Sequence, residues 1–408
     1  MIIIAEKPSV AKRITFSLTT NYKLISKNPP QYYFKIDSKP VIVIPAAGHI
    51  YNLDTNQRGY PVFDYFWNVE KGKTKFAKAF SKYKNEKEVI VATDYDLEGE
   101  LIGYNILRFA LNKTNAKRMV FSALTPKDLR EAFFNLRESI DKNLAIAGET
   151  RHIIDWLYGI NLSRALTYAL RHYVKDVTLS IGRVQGPTLR LVYEREKEIS
   201  NFIPEEYYRV VFIHKNYKFY YIEKLKNLER AKEIAKCKEL KIVRVKEEKV
   251  YLPPPHPYNL SAIQQDAYKF YKISPKDTLL ILQKLYTNGY ISYPRTSSNI
   301  LPESLDYRYI LEKLKLWGYS YYISYLLKKP ILKPNNGNIE DAHPAIYPTG
   351  IIPKGLSKKE SLIYDLIVRN FIATFMDKAL IIKFKVYGRC DKYLFVYEGQ
   401  SYGNSSGK

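Results

Sequence analysis

Two segments of the chain end an apolar run on acidic side chains and then turn helical, and this pattern constrains the fold more than any other. IIIA (2–5) is followed by Glu6, Lys7, Pro8 and Ser9, and then by helical spacing from about Val10 to Leu18. EVIVATDYDLEGELIGYNILRFALNK (88–113) repeats the logic, with Asp94 and Asp96 two apart and Glu98 opening the helix that Gly99 to Ala110 continue. Short apolar runs that feed helices read as buried strands, and open α/β sheets keep their ligand sites at the carboxyl ends of such strands. A third unit, KRMVFSALTPKDLREAFFNL (117–136), starts with a strand and sets Thr125 as N-cap with Pro126 at the first helical position. Together the units predict a mostly parallel sheet with helices on both faces.

Asp94, Asp96 and Glu98 converging at a strand end repel one another unless a divalent cation neutralises them, and hard carboxylate oxygens suit Mg²⁺. Glu6 heads an equivalent position in the sheet and extends the set. The plainer reading is that these acids decorate a loop and favour a helix dipole.

The 408 residues allow roughly two to four domains, enough for a sizeable core without disulfides. Lys and Arg number 65 against 41 Asp and Glu, a net charge of +24, with 37 Tyr and 18 Phe interleaved. Basic groups track a phosphate backbone and aromatic faces stack on bases, so the balance favours a polyanionic partner over a merely solvated surface. Cys237 and Cys390 lie far apart without a CxxC pair, which indicates neither a zinc ribbon nor a disulfide framework and fits a reducing compartment. The apolar start is too short for a signal peptide, and no run reaches a membrane span, so the expectation is a soluble, intracellular protein.

GETRHIIDWLYGINLSRALTYALRH (148–172) has helical spacing, broken only by Gly159, with Trp156, Leu157 and Ile160 facing a core. Arg151 and Arg164 on it reach either a phosphate or water. In LSIGRVQGPTL (179–189), Gly182 frees the backbone beside Arg183, which can fork onto phosphate, and Gln185, which can bond to phosphate, sugar or base. From about 205 to 252 the chain alternates as antiparallel strands do, and Pro253, Pro254, Pro255 and Pro257 then form a stiff linker. Residues 259–296 read as helix, turn, helix and strand, with Ser274 as N-cap, Pro275 at N1 and a stop near Asn288 and Gly289, an order that is winged-helix-like.

The strand of that unit is ISYPRTSS (291–298), which puts Tyr293 and Arg295 two positions apart and so on one face. A phenol titrates near ~10 and needs cationic neighbours to become a nucleophile; a phosphodiester held by Arg295 would supply a target. A buried tyrosine beside a surface arginine is the bland alternative. EDAHPAIYPTG (340–350) contributes His343, a residue type that alone is more often structural.

The Glu after the first strand with DxDxEG after a later one resembles the TOPRIM domain of topoisomerases, primases and some nucleases, over roughly 1–147. RxxxDWxxGxNxSR, then SxGRVQxPTL, then ISYPRT and HPAI, in that order from Ile2 to about Ala373, resemble the type IA DNA topoisomerases, topoisomerase III-like members most closely. The resemblance implies a multi-domain α/β and α+β protein: a TOPRIM domain (1–147), a helical DNA-binding part (148–204), a β-rich arch segment with its linker (205–258), a winged-helix-like domain with the catalytic tyrosine (259–380) and returning arch strands (381–408).

It also implies an ATP-independent isomerase that cuts single-stranded DNA through a 5′-phosphotyrosyl bond on Tyr293, reseals it and relaxes negatively supercoiled duplex. Arg295, Lys7 and His343 would stabilise the phosphorane, and Glu6 would protonate the leaving 3′-oxygen. Mg²⁺ would sit on Asp94, Asp96, Glu98 and Glu6, while Ser180, Gly182, Arg183, Gln185, Arg151, Arg164 and Thr296 would grip DNA. The expected setting is cytoplasmic and nucleoid-associated, with no membrane.

Ser297 and Ser298 stand where the family commonly has an acid after YPRT, and Tyr347 stands where an arginine is frequent. Family members continue beyond the histidine motif to close a ring, so either a second polypeptide completes this chain or it is a truncated or divergent form. No GxxxxGK[ST] loop is present for an ATP motor. The rival functions are a DNA-binding subunit without strand passage and a TOPRIM nuclease or primase that does not use Tyr293.

Overall fold

The computed structural model describes residues 1–403 and divides them into two compact units: Met1–Arg190 with His256–Thr374, and Leu191–Pro255 with the segment from Phe375 onward.

The first unit is built on a six-stranded sheet whose order is Lys23–Lys27, Pro30–Ile36, Lys39–Pro45, Ile2–Ala5, Val89–Ala92 and Lys117–Arg118. Ile2–Ala5 is buried along its whole length and runs parallel to both its neighbours, as a strand covered on two faces must be apolar throughout. Val89–Ala92 and Lys117–Arg118 are also parallel. The sheet is nevertheless mixed, because the segment from Lys23 to Pro45 folds back on itself as antiparallel strands and adds an edge that the strand-to-helix pattern did not predict. Those strands are joined by two-residue connections and lack intervening helices, so they carry no crossover signature.

One face of the sheet, through Ile2, Ile4, Ile44, Val89 and Val91, packs on Phe76 and Phe80 of the helix Thr74–Ser81 and on Ile102 and Ile106 of the helix Leu97–Ala110. The helix Pro8–Leu18 packs against Pro126–Phe134, whose N-cap Thr125 accepts from Asp128 N.

The helix Lys142–Arg171 is continuous for 30 residues and runs through the expected boundary at 147 and through Gly159. Asp141 caps it by accepting from Leu144 N. Gly148 lets it lie against the start of Leu97–Ala110; a Cβ there would stand 2.4 Å from Leu97 O. Side chains on this helix also hold the loop that follows it, since Ser163 Oγ accepts from Ile181 N and Thr167 Oγ1 accepts from Leu179 N.

Helices Leu260–Tyr271 and Pro275–Thr287 form as the sequence predicts, the latter capped by Ser274, and Lys358–Ala373 packs against both. The strand expected to bear Tyr293 does not form. Ile291 makes a lone bridge to Pro348, Ser292 exchanges hydrogen bonds with Tyr347, and Tyr293 N donates instead to Ser122 O. Pro294 has no N–H to extend a ladder, so the β-favouring run is used as an irregular strap.

The second unit is a five-stranded antiparallel sheet, ordered Lys241–Leu252, Ala379–Cys390, Tyr393–Gly403, Tyr217–Tyr221 and Val211–His214. Its small core gathers Phe219, Tyr221, Ile234 of the helix Leu228–Ala235, and Phe395. Cys237 and Cys390 are joined here as a disulfide across 153 residues of sequence, contrary to the expectation of free thiols. Their approach is a product of the sheet: Cys390 ends the strand that the Cys237 segment packs against. Disulfides belong to oxidising surroundings, so the cysteines lend no support to a reducing compartment. The last residues of the expected returning strands, 404–408, lie outside the described residues. No helix among those described is long and apolar enough to cross a membrane.

Candidate active site

Every side chain of the predicted catalytic set lies in the first unit. Asp94 follows the buried strand Val89–Ala92, and its carbonyl is fixed from beneath by the wholly buried guanidinium of Arg118, Nη2 to O at 3.0 Å. The same guanidinium pairs with Glu100 at 2.8 Å, and Glu100 in turn accepts from Asp141 N. Asp96 caps the next helix, accepting from Gly99 N at 2.8 Å. Gly99 is needed for this turn, because a Cβ would fall 2.1 Å from Asp94 O.

Across from these carboxylates stand two tyrosines. Tyr293 Oη donates to Asp96 Oδ2 at 2.5 Å, and Tyr286 Oη donates to Asp94 Oδ1 at 3.0 Å. Glu6 Oε2 accepts from Asp94 N, while Lys7 Nζ lies 2.8 Å from Glu6 Oε1 and 3.9 Å from Asp94 Oδ2. The His343 ring packs on Tyr293 with centroids 4.3 Å apart, and its Nδ1 lies 3.3 Å from Ser122 Oγ. With the serine hydroxyl donating, the imidazole proton sits on Nε2, a buried atom without a hydrogen-bond partner among the described residues. Thr296 Oγ1 donates to His343 O and is buried, so it orients the histidine and does not face solvent.

The electrostatics follow from this burial. Desolvation, then Glu6, raise the Asp94 carboxyl well above the ordinary range. Burial, then Asp94 and Asp96, push the Tyr293 phenol upward, away from ionisation. Burial lowers His343 to about 4, so it is neutral at pH 7. At Lys7, burial works against the charge, yet Glu6 and Asp94 outweigh it and raise the ammonium pKa; Arg295 is near enough to oppose them.

Glu98 faces elsewhere. His49 Nε2 lies 2.8 Å from its Oε2 and Arg151 is 3.8 Å from its Oε1, and the His49 hydrogen bond holds the carboxyl below its usual range. Arg151 also reaches Asp155, which pairs with Arg183 at 2.6 Å. The expected cation site is therefore not assembled: among the described residues no three His, Cys, Asp or Glu side chains form a metal-holding group. Lys7 pairs with Glu6 and lies near Asp94, and Asp96 is engaged by Tyr293 and Gly99.

Arg295, expected on the Tyr293 face of a strand, is exposed while Tyr293 is 3% exposed. Ser180, Arg183 and Gln185 are exposed beside partly buried Gly182. Arg164 is not free to reach a ligand in this arrangement, because it donates to Gln57 O and Gly59 O. Sequence reasoning passed over His49, Arg118, Ser122, Asp155 and Tyr286. Only Asp155 carried a signal, as the acid of the DW pair on the arginine-bearing helix.

A family model described as a DNA topoisomerase matches residues 139–405, and one described as a Toprim domain matches residues 1–124. The chain belongs to the type IA DNA topoisomerase family. Among its relatives, DNA topoisomerase 1 of Pyrococcus horikoshii is 43% identical over 98% of this chain and 62% of that protein. DNA topoisomerase 1 of Methanocaldococcus jannaschii is 44% identical over 93% of the chain and 52% of that protein. DNA topoisomerase 3 of Staphylococcus epidermidis is 34% identical over 97% and 58%. The full-length topoisomerase I of Thermotoga maritima superposes with a TM-score of 0.77 at 28% identity, covering 99% of this chain and 66% of that one.

The chain thus spans between 52% and 62% of the length of these curated type IA relatives. In each of them the additional length belongs to the same polypeptide, so the comparisons give no support to a second polypeptide completing this one.

Proposed function

We propose that this chain carries out the cleavage and resealing step of a type IA topoisomerase on single-stranded DNA. The observation that carries the reading is the contact of Tyr293 Oη with Asp96 Oδ2 at 2.5 Å, which joins a nucleophile from residue 293 to an acceptor from residue 96. In the proposed step the phenolic oxygen attacks a backbone phosphorus and gives its proton to Asp96. A 5′-phosphotyrosyl bond forms and the bond to the 3′-oxygen breaks. Glu6 is the proposed donor to that oxygen, beside Asp94, whose carboxyl burial shifts toward its protonated form. Lys7 and Arg295 offset the developing negative charge, and the unpartnered Nε2–H of His343 is available to a phosphate oxygen. The reverse attack by the 3′-hydroxyl reseals the strand without ATP, since the phosphodiester is exchanged and not hydrolysed.

Tyr293 and His343 are 3% and 2% exposed, so the strap 291–296 has to part from Ser122 and Asp96 before DNA enters. Mg²⁺ is proposed for Asp94, Asp96, Glu98 and Glu6; the carboxylates as they stand do not fit it, and no step is routed through it. Arg183, Gln185, Ser180 and Gly182 are the proposed strand grip, with Arg151 behind them on Asp155. Relaxation of negatively supercoiled duplex, and a nucleoid-associated cytoplasmic setting, belong to the same proposal.

The test is adduct trapping. The chain is mixed with end-labelled single-stranded oligonucleotide and Mg²⁺, denatured, and resolved for a labelled protein band. The band is expected for the natural chain. Hydrolysed or extended DNA without it would favour a nuclease or primase, and retention of DNA with no product would favour a binding subunit.

A further inference from the structure

The two cysteines of the chain meet in the second unit, in a sheet whose outer strand buries little. Lys241–Leu252 pairs with Ala379–Cys390 along its length, from Lys241 opposite Arg389 to Leu252 opposite Ala379, yet eleven of its twelve residues are exposed. Apolar burial therefore does little to hold it, and a register shift between Ile242 and Arg244 interrupts the ladder near the cysteines. The buried core of the unit gathers instead around Phe219, Ile234 and Phe395. The bridge stands at one end of the ladder, since Cys390 is the last residue of its strand and Cys237 lies four residues before Lys241.

The path of the chain gives this position a consequence. The polypeptide passes from 1–190, which holds Glu6, Lys7, Asp94 and Asp96, to 256–374, which holds Tyr293 and His343, through Leu191–Pro255, and it continues into the run that begins at Phe375. The bridge joins those two runs across 153 residues and so closes the Tyr293-bearing segment into a covalent loop. Without it, the downstream run is held to the upstream one by the exposed ladder and by the short pairing of Tyr220 and Tyr221 with Val396 and Phe395. Closing a long loop removes much of the freedom of the unfolded chain, so a bond of this span contributes strongly to the order of what it joins.

The bridge is also within reach of a small reagent. A cleft of about 760 Å³ is lined by both cysteines. Lys236, Lys238, Lys241 and Arg389 line it together with Glu233, Glu239 and Asp391, and Glu233 is taken by Tyr393 Oη at 2.6 Å. Cations beside a cysteine favour the thiolate that disulfide exchange releases.

We propose that the Cys237–Cys390 bridge is a reversible, thiol-responsive bolt, whose reduction loosens the pairing of Lys241–Leu252 with Ala379–Cys390 and leaves the Tyr293-bearing segment covalently tethered at its upstream end alone. A dithiol attacks one sulfur as its thiolate, forms a mixed disulfide and releases the other cysteine; its second thiol then displaces the first cysteine. The bridge takes up two electrons and two protons as two cysteine thiols, and the reductant leaves as its own disulfide. The consequence for the parting of the strap rests on the proposed cleavage cycle; the loosening of the sheet does not.

Hydrogen exchange of the full chain, read by peptide mass with and without dithiothreitol and in the absence of DNA and Mg²⁺, tests the bolt apart from that cycle. Peptides from Lys241–Leu252 and Ala379–Cys390 are expected to exchange roughly tenfold faster after reduction and to recover on reoxidation with oxidised glutathione, while those from Leu97–Ala110 in the first unit stay unchanged. Cys237→Ser/Cys390→Ser should exchange at the reduced rate with or without dithiothreitol. Equal exchange of the oxidised and reduced natural chain would overturn the proposal. So would iodoacetamide alkylation of both cysteines after treatment with oxidised glutathione, or a dithiothreitol effect that persists in the double variant.

Discussion

Asp94 and Asp96 on one side and Glu98 on the other come from one five-residue run, yet the fold treats them as opposites. The aspartates are capped by the hydroxyls of Tyr286 and Tyr293, and burial raises the Asp94 carboxyl. Glu98 is 41% exposed at its side chain and sits between His49 and Arg151, and its pKa is lowered. A buried carboxylate without a full countercharge is a cost that the structure tolerates, and a half-exposed one with two basic neighbours is not. The contrast agrees with the proposed chemistry: the costly side is the one that touches Tyr293, the proposed nucleophile.

The largest effect that could break this contrast is the loss of the nucleophile. Tyr293→Phe keeps the ring on His343 but has no oxygen to form the ester, so the trapped adduct should fall below detection in denaturing gels while oligonucleotide binding persists. A retained adduct would move the chemistry to another residue.

Next is the support under Asp94. Arg118→Met leaves Glu100 buried without its partner and should lower unfolding stability by about 3–5 kcal/mol, read from denaturant midpoints. A loss below 1 kcal/mol would mean that the strand end does not depend on this ion pair.

The buried side should also respond to acid through His343. Its folded pKa of about 4 lies below the value near 6.5 expected of an unfolded chain, so the unfolded state takes up the proton first. Its contribution to stability is then intact above pH 6.5, declines as the pH falls, and by pH 4 has lost about 3 kcal/mol. His343→Asn should flatten that part of the stability profile, measured as unfolding free energy against pH; an unchanged slope would show that the imidazole is not buried in solution.

The smallest effects sharpen the contrast most directly, because they should differ in sign. At pH 7, Asp94→Asn removes a disfavoured charge and should stabilise the fold by about 1 kcal/mol, as active-site substitutions can. Glu98→Gln weakens two favourable contacts and should destabilise by about 0.5 kcal/mol or less, given its exposure. Melting curves of the two variants that move in the same direction would dissolve the distinction.

The strand-to-helix units, the N-caps at Thr125 and Ser274 and the parallel centre of the sheet were legible in the sequence, because each depends on local periodicity and turn chemistry. The antiparallel edge was not, since Lys23–Pro45 pairs within itself and shows no crossover. The strap bearing Tyr293 was misread as a strand for a related reason: its β-branched and aromatic residues fit a pleat, but Tyr293 N has Ser122 O as its partner and no neighbouring strand. Motif spacing pointed to Glu6, Lys7, Asp94, Asp96, Tyr293 and His343, which the fold brings together. It could not find Tyr286, His49 or Arg118, whose partners are 192, 49 and 18 residues away.

By itself, then, the sequence determined which residues could perform phosphoryl transfer and the strand-to-helix units that carry Glu6, Lys7, Asp94 and Asp96, because residue chemistry and helix or strand spacing are local properties. The tertiary structure alone decided which carboxylate is buried, which is ion-paired, that Cys237 meets Cys390 and that Tyr293 rests on Asp96. Desolvation and countercharge depend on what the rest of the chain brings within a few ångströms, and no run of neighbouring residues encodes that.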